Sequence, residues 1–364
     1  MTFIPTFEAK GDAFAIGVAL GQRAGHALRE VVPGIARFAA LDRDWGGSDY
    51  IATLERAGRN AFPGHMREIE GIAEGAGVPF NRVFLWNCRG DVPGGGDQTG
   101  KTEAAGCTSF MLPGAGGGSG RRPAVIGHNE DGEAEEDGHC FLVRLVPEDG
   151  PAITSFYNPG LLPGHSFGWN DHGLVQTINH IRPFDQREGI PRHLITRAVL
   201  SCESLDRAVA LLQRRDRASG FHHNLGQAGD GPLLSVEAPA SGCSVRPIER
   251  PHCHANHLVH DAFVGLQQAD APSSMSRQAR GEALLAAERA ADVARLLADQ
   301  ETAPLPIYRK RVGGEDAGFT LASGLFEIGV EVVDWRVHHR LDDPPLYQGR
   351  ITVRQPTAAP TVLS

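Results

Sequence analysis

The junction between Gly106 and Cys107 constrains this chain more than any other feature. A glycine- and polar-rich stretch, GGGDQTGKTEAAG, runs directly into CTSFML, an apolar segment of strand-like composition. A cysteine opening a strand behind a residue as small as glycine is what a self-cleaving chain with an N-terminal nucleophile requires. The thiol attacks the preceding carbonyl, the amide shifts to a thioester, and water releases a new amino terminus on the cysteine. That α-amine, with an unperturbed pKa of about 7.7–8.0, then serves as base for its own thiol. The plain alternative is a buried cysteine that merely opens a core strand, since free cysteine is among the most buried residue types.

The flanking sequence favours the first reading. CTSFML and AVIGHNEDG surround a glycine-rich turn from Gly114 to Gly120, a β-hairpin pattern. The second strand ends in Gly127-His128-Asn129-Glu130-Asp131, so a carboxylate and an amide stand at the end of an apolar run. With these segments in view the chain resembles the self-processing acyltransferases and amide hydrolases related to acyl-CoA:6-aminopenicillanic acid acyltransferase. The resemblance rests on EIEGIAEGAGVPFNRVFLWNCRGD, GCTSF, GHNEDG, FGWNDHGLVQTINH, and the pair HHNLGQAGDGPLLSVE and HANH, in that order over roughly residues 65–260.

The resemblance implies an α+β fold, a four-layer αββα sandwich of the N-terminal-nucleophile type. It implies a cut into residues 1–106 and 107–364, the two chains staying associated as one domain, with self-association left open. Cys107 is then the nucleophile for autocleavage and for turnover. Asp131 matches the aspartate of the family's N-x-D segment, beside the nucleophile, against the alternative of a turn cap. Asn224 in HHN matches the oxyanion-stabilising asparagine, against that of a structural residue at a strand start. Arg309 stands where the family carries a late arginine, with Arg311 close enough to compete. Thr108, Asn129 and Glu130 are candidate substrate contacts, and so is Arg89 in NCRGD, for which a surface salt bridge is an equal alternative.

The implied activity is amide hydrolysis of a small N-acyl amine through a thioester acyl-enzyme. Transfer of the acyl group to an amine, or from acyl-CoA, uses the same machinery. No CoA-phosphate loop is recognisable and the candidate strand is acidic, which would repel a polyphosphate, so hydrolysis is preferred. A branch of the family splitting N-β-alanyl amines resembles this chain more closely in its GHNED segment than the penicillin branch does. The run from Glu130 to Asp137 would favour a substrate ammonium, if it is not simply a solvated loop. A third alternative, of another class, is an uncleaved, non-catalytic small-molecule-binding protein.

Composition agrees. The 364 residues are 41% hydrophobic, with a mean hydropathy of -0.23, as in ordinary globular proteins. A formal net charge of -9 disfavours nucleic-acid and anionic-membrane partners. No apolar run approaches the roughly 20 residues of a membrane span. The first residues lack the pattern of a secretory signal. Six cysteines without CxxC spacing suit reduced thiols. These features lead to an expected cytoplasmic location.

Helical patterns cover AFAIGVALGQRAGHAL, Tyr50–Ala61 and HMREIEGIAEGA, and Val83–Trp86 reads as a strand. Beyond Cys107 the chain turns β-rich through LVQTIN. A helical pair follows (PRHLITRAVLS, SLDRAVALLQRR), then HHNLGQAG and PLLSVEAP as strands. One long helix is expected over Ser276–Asp299, and strands over FTLASGLFE, GVEVVDWRV and GRITVRQ.

Three rival motifs carry less. Gly164-His165-Ser166-Phe167-Gly168 has the G-x-S-x-G form of a nucleophile elbow, but it precedes another strand rather than a helix. His252, Cys253, His254, His257 and His260 offer zinc-ligand chemistry without a standard zinc spacing, so no metal and no cofactor is expected there. Gly116-Gly117-Gly118 satisfies neither phosphate-loop pattern.

Overall fold

The computed structural model describes residues 4–94, 106–115, 122–229, 231–287, 292–302, 305–310 and 318–353. The chain is a mixed α+β protein with two sheets. Its N-terminal part is helical: α1 (Ala13–His26), α2 (Ala36–Trp45), α3 (Asp49–Ala61), α4 (Pro63–Ala76) and α5 (Phe80–Asn87). The Asp12 carboxylate caps α1 by accepting from Ala15 N at 2.8 Å. Proline opens α4, and Gly77, at φ +67°, closes it.

Glycines set how closely α1 and α4 cross. A Cβ on Gly17 would lie 2.1 Å from the Glu68 carbonyl oxygen, and one on Gly71 2.2 Å from that of Phe14. Only residues without a side chain allow this approach. Val83–Trp86, expected as a strand, lies inside α5 and is buried. A four-residue apolar run has no period of its own, so the surrounding helices decide its state.

The eight-stranded sheet runs β1 (Thr6–Gly11), β4 (Phe141–Pro147), β5 (Ile153–Tyr157), β6 (Phe167–Asn170), β7 (Leu174–His180), β8 (Phe221–Gln227), β9 (Leu234–Glu237), β10 (Ser244–Pro247). The six-stranded sheet runs β11 (His252–His254), β2 (Gly106–Leu112), β3 (Ala124–Glu133), β12 (Gly318–Ile328), β13 (Val332–His338), β14 (Tyr347–Thr352). The helical pair is α6 (Arg192–Leu200) and α7 (Leu205–Leu212). The single helix expected over Ser276–Asp299 is two, α8 (Pro272–Ala286) and α9 (Val293–Leu297); the Asp292 carboxylate caps the second by accepting from Ala294 N. Of GRITVRQ, the last two residues lie outside the described residues.

Three apolar clusters join these elements. One packs α1–α7 against the eight-stranded sheet. A second, with Met111, Ile126, Phe156, Phe167 and Phe326, lies between the sheets. A third, with Phe110, Leu284 and Leu297, seats α8 and α9 on the six-stranded sheet. No helix among the described residues is long and apolar enough to cross a membrane.

Candidate active site

The hairpin expected around the Gly114–Gly120 turn forms. β2 and β3 pair antiparallel with Gly106 opposite Asp131, Cys107 opposite Glu130, Thr108 opposite Asn129 and Ser109 opposite His128. The Gly116-Gly117-Gly118 run lies outside the described residues. Because side chains alternate along a strand, Cys107, Ser109, Glu130 and His128 share one face and Thr108, Asn129 and Asp131 the other.

Cys107 is 5% exposed, and its thiol donates to Glu130 Oε2 at 3.0 Å. Its backbone N–H donates to Asn256 Oδ1 at 2.8 Å. Arg277, from α8, donates through Nη1 to the Cys107 carbonyl (2.6 Å) and to Thr108 Oγ1 (2.8 Å), and through Nη2 to Asn256 Oδ1 (2.7 Å). A guanidinium only 2% exposed demands such a full set of acceptors. Burial pushes the Cys107 thiol well above its ordinary pKa; Glu130 and Asp131 push the same way, and Arg277 pulls back.

On the other face, Asp131 Oδ1 accepts from Thr320 Oγ1 at 2.7 Å, and Arg309 Nε lies 3.7 Å from Oδ2. Burial raises the Asp131 carboxyl against the pull of Arg309 and Arg277. Arg309 also donates to Ser273 Oγ, while Arg311 lies outside the described residues. Asn129 turns away from the thiol: its amide donates to the Leu297 and Ile307 carbonyls and accepts from Ser323 Oγ.

The acidic run is neither a solvated loop nor a concentrated negative wall at the site. β3 continues through Glu133, and Glu133 and Glu136 cap a short turn reciprocally. Glu133 faces Arg37 at 3.8 Å, and Asp137 faces His339 and Arg340. Only Glu130 and Asp131 of the run stand beside Cys107, because strand register carries the later acids away along the edge.

Asn224, on β8, joins a polar network rather than the thiol's own contacts. Its Nδ2 donates to Thr177 Oγ1 and Asn179 Oδ1, both at 2.9 Å. Asn179 Oδ1 also accepts from Ser109 Oγ at 2.9 Å, and Asn179 Nδ2 donates to the His254 carbonyl. The histidine cluster does not converge on a point. His254 stacks on His222 at 3.4 Å between centroids and meets Glu237 Oε1 at 2.9 Å, His257 meets Ser274, and His260 meets Ser235 and Ser244. Cys253 turns into the apolar cluster under α8.

Arg89 is buried, which corrects the surface salt-bridge alternative: it lies over the Trp86 ring at 4.7 Å, with Nη2 3.5 Å from His165 Nε2. Ser166 is buried and its segment enters β6, so the elbow geometry is absent. A surface cavity of ≈ 700 Å³ between Arg187, Arg217 and Phe263 contains none of these site residues.

Asn256 and Arg277 are the neighbours of Cys107 that no local pattern announced. HANH contains the first. A signal for the second is the buried stripe of α8, where Ser273, Ser274, Arg277 and Gln278 occupy positions that a packed amphipathic helix fills with apolar residues.

The chain is similar to known proteins. Residues 117–342 match the family model of acyl-coenzyme A:6-aminopenicillanic acid acyl-transferase. A β-alanyl-dopamine/carcinine hydrolase of Drosophila melanogaster is 27% identical over 227 residues, 58% of this chain and 57% of that protein. The 40 kDa form of the acyl-coenzyme A:6-aminopenicillanic-acid-acyltransferase of Emericella nidulans is 25% identical over 284 residues, 76% of each chain. The chain thus spans little more than half the length of the Drosophila relative.

Proposed function

The chain belongs to the acyl-coenzyme A:6-aminopenicillanic acid acyltransferase family, and from that membership we propose that it cuts its own Gly106–Cys107 bond and then hydrolyses a small N-acyl amine. The observation that carries this reading is the setting of Cys107: a strand-opening thiol whose own nitrogen, carbonyl and sulfur are each held by a side chain. The fold implied is the αββα sandwich, residues 1–106 and 107–364 remaining together after the cut.

In maturation the sulfur bonds to the Gly106 carbonyl carbon, the C–N bond breaks, and the thiol proton ends on the Cys107 nitrogen. Water then splits the thioester, leaving a carboxylate on Gly106 and a free thiol. In turnover the new α-amine takes the thiol proton, the thiolate attacks the substrate carbonyl, and the substrate's amine leaves with that proton; water then splits the thioester acyl-enzyme, releasing the acid and restoring the thiol. Asp131, with Arg309 behind it, orients the α-amine. Asn224 serves the oxyanion as donor, whereas Asn256 turns its acceptor Oδ1 to the Cys107 nitrogen and gives its Nδ2 to the His180 carbonyl, so it helps hold the α-amine. A β-alanyl group carries its ammonium three bonds from its carbonyl, within reach of Glu130, which supports an N-β-alanyl amine as substrate. Thr108 and Arg89 complete the proposed surroundings.

Denaturing electrophoresis of purified protein is expected to give two bands, the larger beginning Cys-Thr-Ser-Phe, and Cys107→Ala a single uncut chain. A Cys107→Ala protein that still splits there would overturn the maturation. Time courses on β-alanyl-histamine, with and without added amine, separate hydrolysis from transfer: acyl transfer outpacing acid release would favour the acyltransferase reading.

A further inference from the structure

Two further electron-pair donors converge beside the thiol, and the hydrogen-bond network leaves a neutral imidazole no proton to place between them. Ser109 Oγ gives its single hydrogen to Asn179 Oδ1 at 2.9 Å. Its 2.8 Å contact with His128 Nδ1 is therefore donated by the imidazole. That assigns the Nδ1–H tautomer to the neutral ring and leaves a lone pair on Nε2. His128 is 0% exposed, and its Nε2 has no hydrogen-bond partner. It lies 3.5 Å from Glu130 Oε2, which in turn lies 3.0 Å from Cys107 Sγ. A lone pair facing a carboxylate in a buried site is unfavourable unless a positive centre sits between them. The proposed reaction gives His128 Nε2 no work.

We propose that Cys107 Sγ, His128 Nε2 and Glu130 Oε2 form a tetrahedral Zn²⁺ site that silences the thiol. The silencing rests on Cys107 being the nucleophile; the metal site itself does not. The three ligand atoms all lie within 4.8 Å of one another. Zinc bonds of about 2.3 Å to sulfur and about 2.1 Å to nitrogen and oxygen, at tetrahedral angles, set sulfur and oxygen about 3.6 Å apart and nitrogen and oxygen about 3.4 Å apart. The site meets the second spacing and opens by roughly half an ångström to meet the first. Thiolate and carboxylate together balance the two charges of the ion. A soft thiolate beside an imidazole selects zinc over magnesium or calcium. Ser109 already holds the far nitrogen of His128, the outer contact that orients a ligating imidazole. Zinc replaces the thiol proton, Cys–SH + Zn²⁺ giving Cys–S–Zn⁺ + H⁺, so binding tightens as pH rises. The fourth position falls to water or, in a cut chain, to the Cys107 α-amine.

The test is a titration of the full-length protein, stripped with chelator, first with Co²⁺ and then with Zn²⁺. One Co²⁺ per chain with a thiolate-to-cobalt charge-transfer band is expected, displaced by Zn²⁺ and abolished in Cys107→Ser. His128→Gln and the isosteric Glu130→Gln should each weaken the metal at least about tenfold, with metal-free thermal unfolding reporting that the fold survives. Absence of the band, or equal metal affinity in both variants, overturns the site. A protein that shows the band but neither cuts itself nor hydrolyses amides keeps the metal site and loses the nucleophile reading. One that cuts and hydrolyses without the band does the reverse.

Discussion

The strands lining the space between the two sheets change character along their length. Reading inward-facing positions from one end, β2 contributes Cys107, Ser109 and then Met111, β3 Glu130, His128 and then Ile126, and β7 Asn179, Thr177 and then Val175. The polar end is a hydrogen-bonded mesh around Ser109, Asn179, His222 and Asn224. The apolar end packs Met111, Ile126, Phe156, Phe167 and Phe326. Burying apolar area stabilises the protein, whereas buried polar groups contribute little net once their desolvation is offset. The contrast assigns cohesion to one end and chemistry to the other.

Phe326→Ala should break the cohesive end. A loss of about 3–5 kcal/mol in urea unfolding is expected, with activity per folded molecule retained; a variant that keeps its stability but loses turnover would undo the division. Next in size, Asn224→Ala should lower kcat/KM by about 10²–10³, the cost of one oxyanion donor, with Asn256→Ala falling less. The opposite ranking would take that role from Asn224. The smallest effect concerns acid stability. Burial, then the neighbouring His254, depresses the His222 imidazole well below its ordinary value. The unfolded chain therefore takes up a proton below about pH 6.5 that the folded one refuses, and stability falls as pH drops through that window. His222→Gln should remove up to about 1.4 kcal/mol per pH unit of that slope. An unchanged acid limb in chemical denaturation would show that other groups carry it.

Much of the β-rich part was legible because strands announce themselves by alternation and turns by glycine. CTSFML and AVIGHN became β2 and β3 in the expected hairpin. Helices α1, α3 and α4 followed from their apolar spacing and caps. Val83–Trp86 failed for want of length, and the break between α8 and α9 hid in a continuous alanine-rich pattern. β1, parallel to β4, carried no sequence signal strong enough to be read, since its partner lies far along the chain.

What the sequence determined by itself is local: a glycine–cysteine junction opening a strand, and a turn that folds GHNED back beside it. One hairpin and a two-residue period suffice to set Cys107 against Glu130. Which distant groups meet that thiol was decided only by tertiary structure. Asn256 stands 149 residues from Cys107 and Arg277 170 residues from it. The stacking of α8 on the six-stranded sheet and the pairing of β11 with β2 bring them there. No periodicity spans such separations. The energy that selects those contacts is apolar burial elsewhere in the molecule, and the polar groups arrive where that packing carries them.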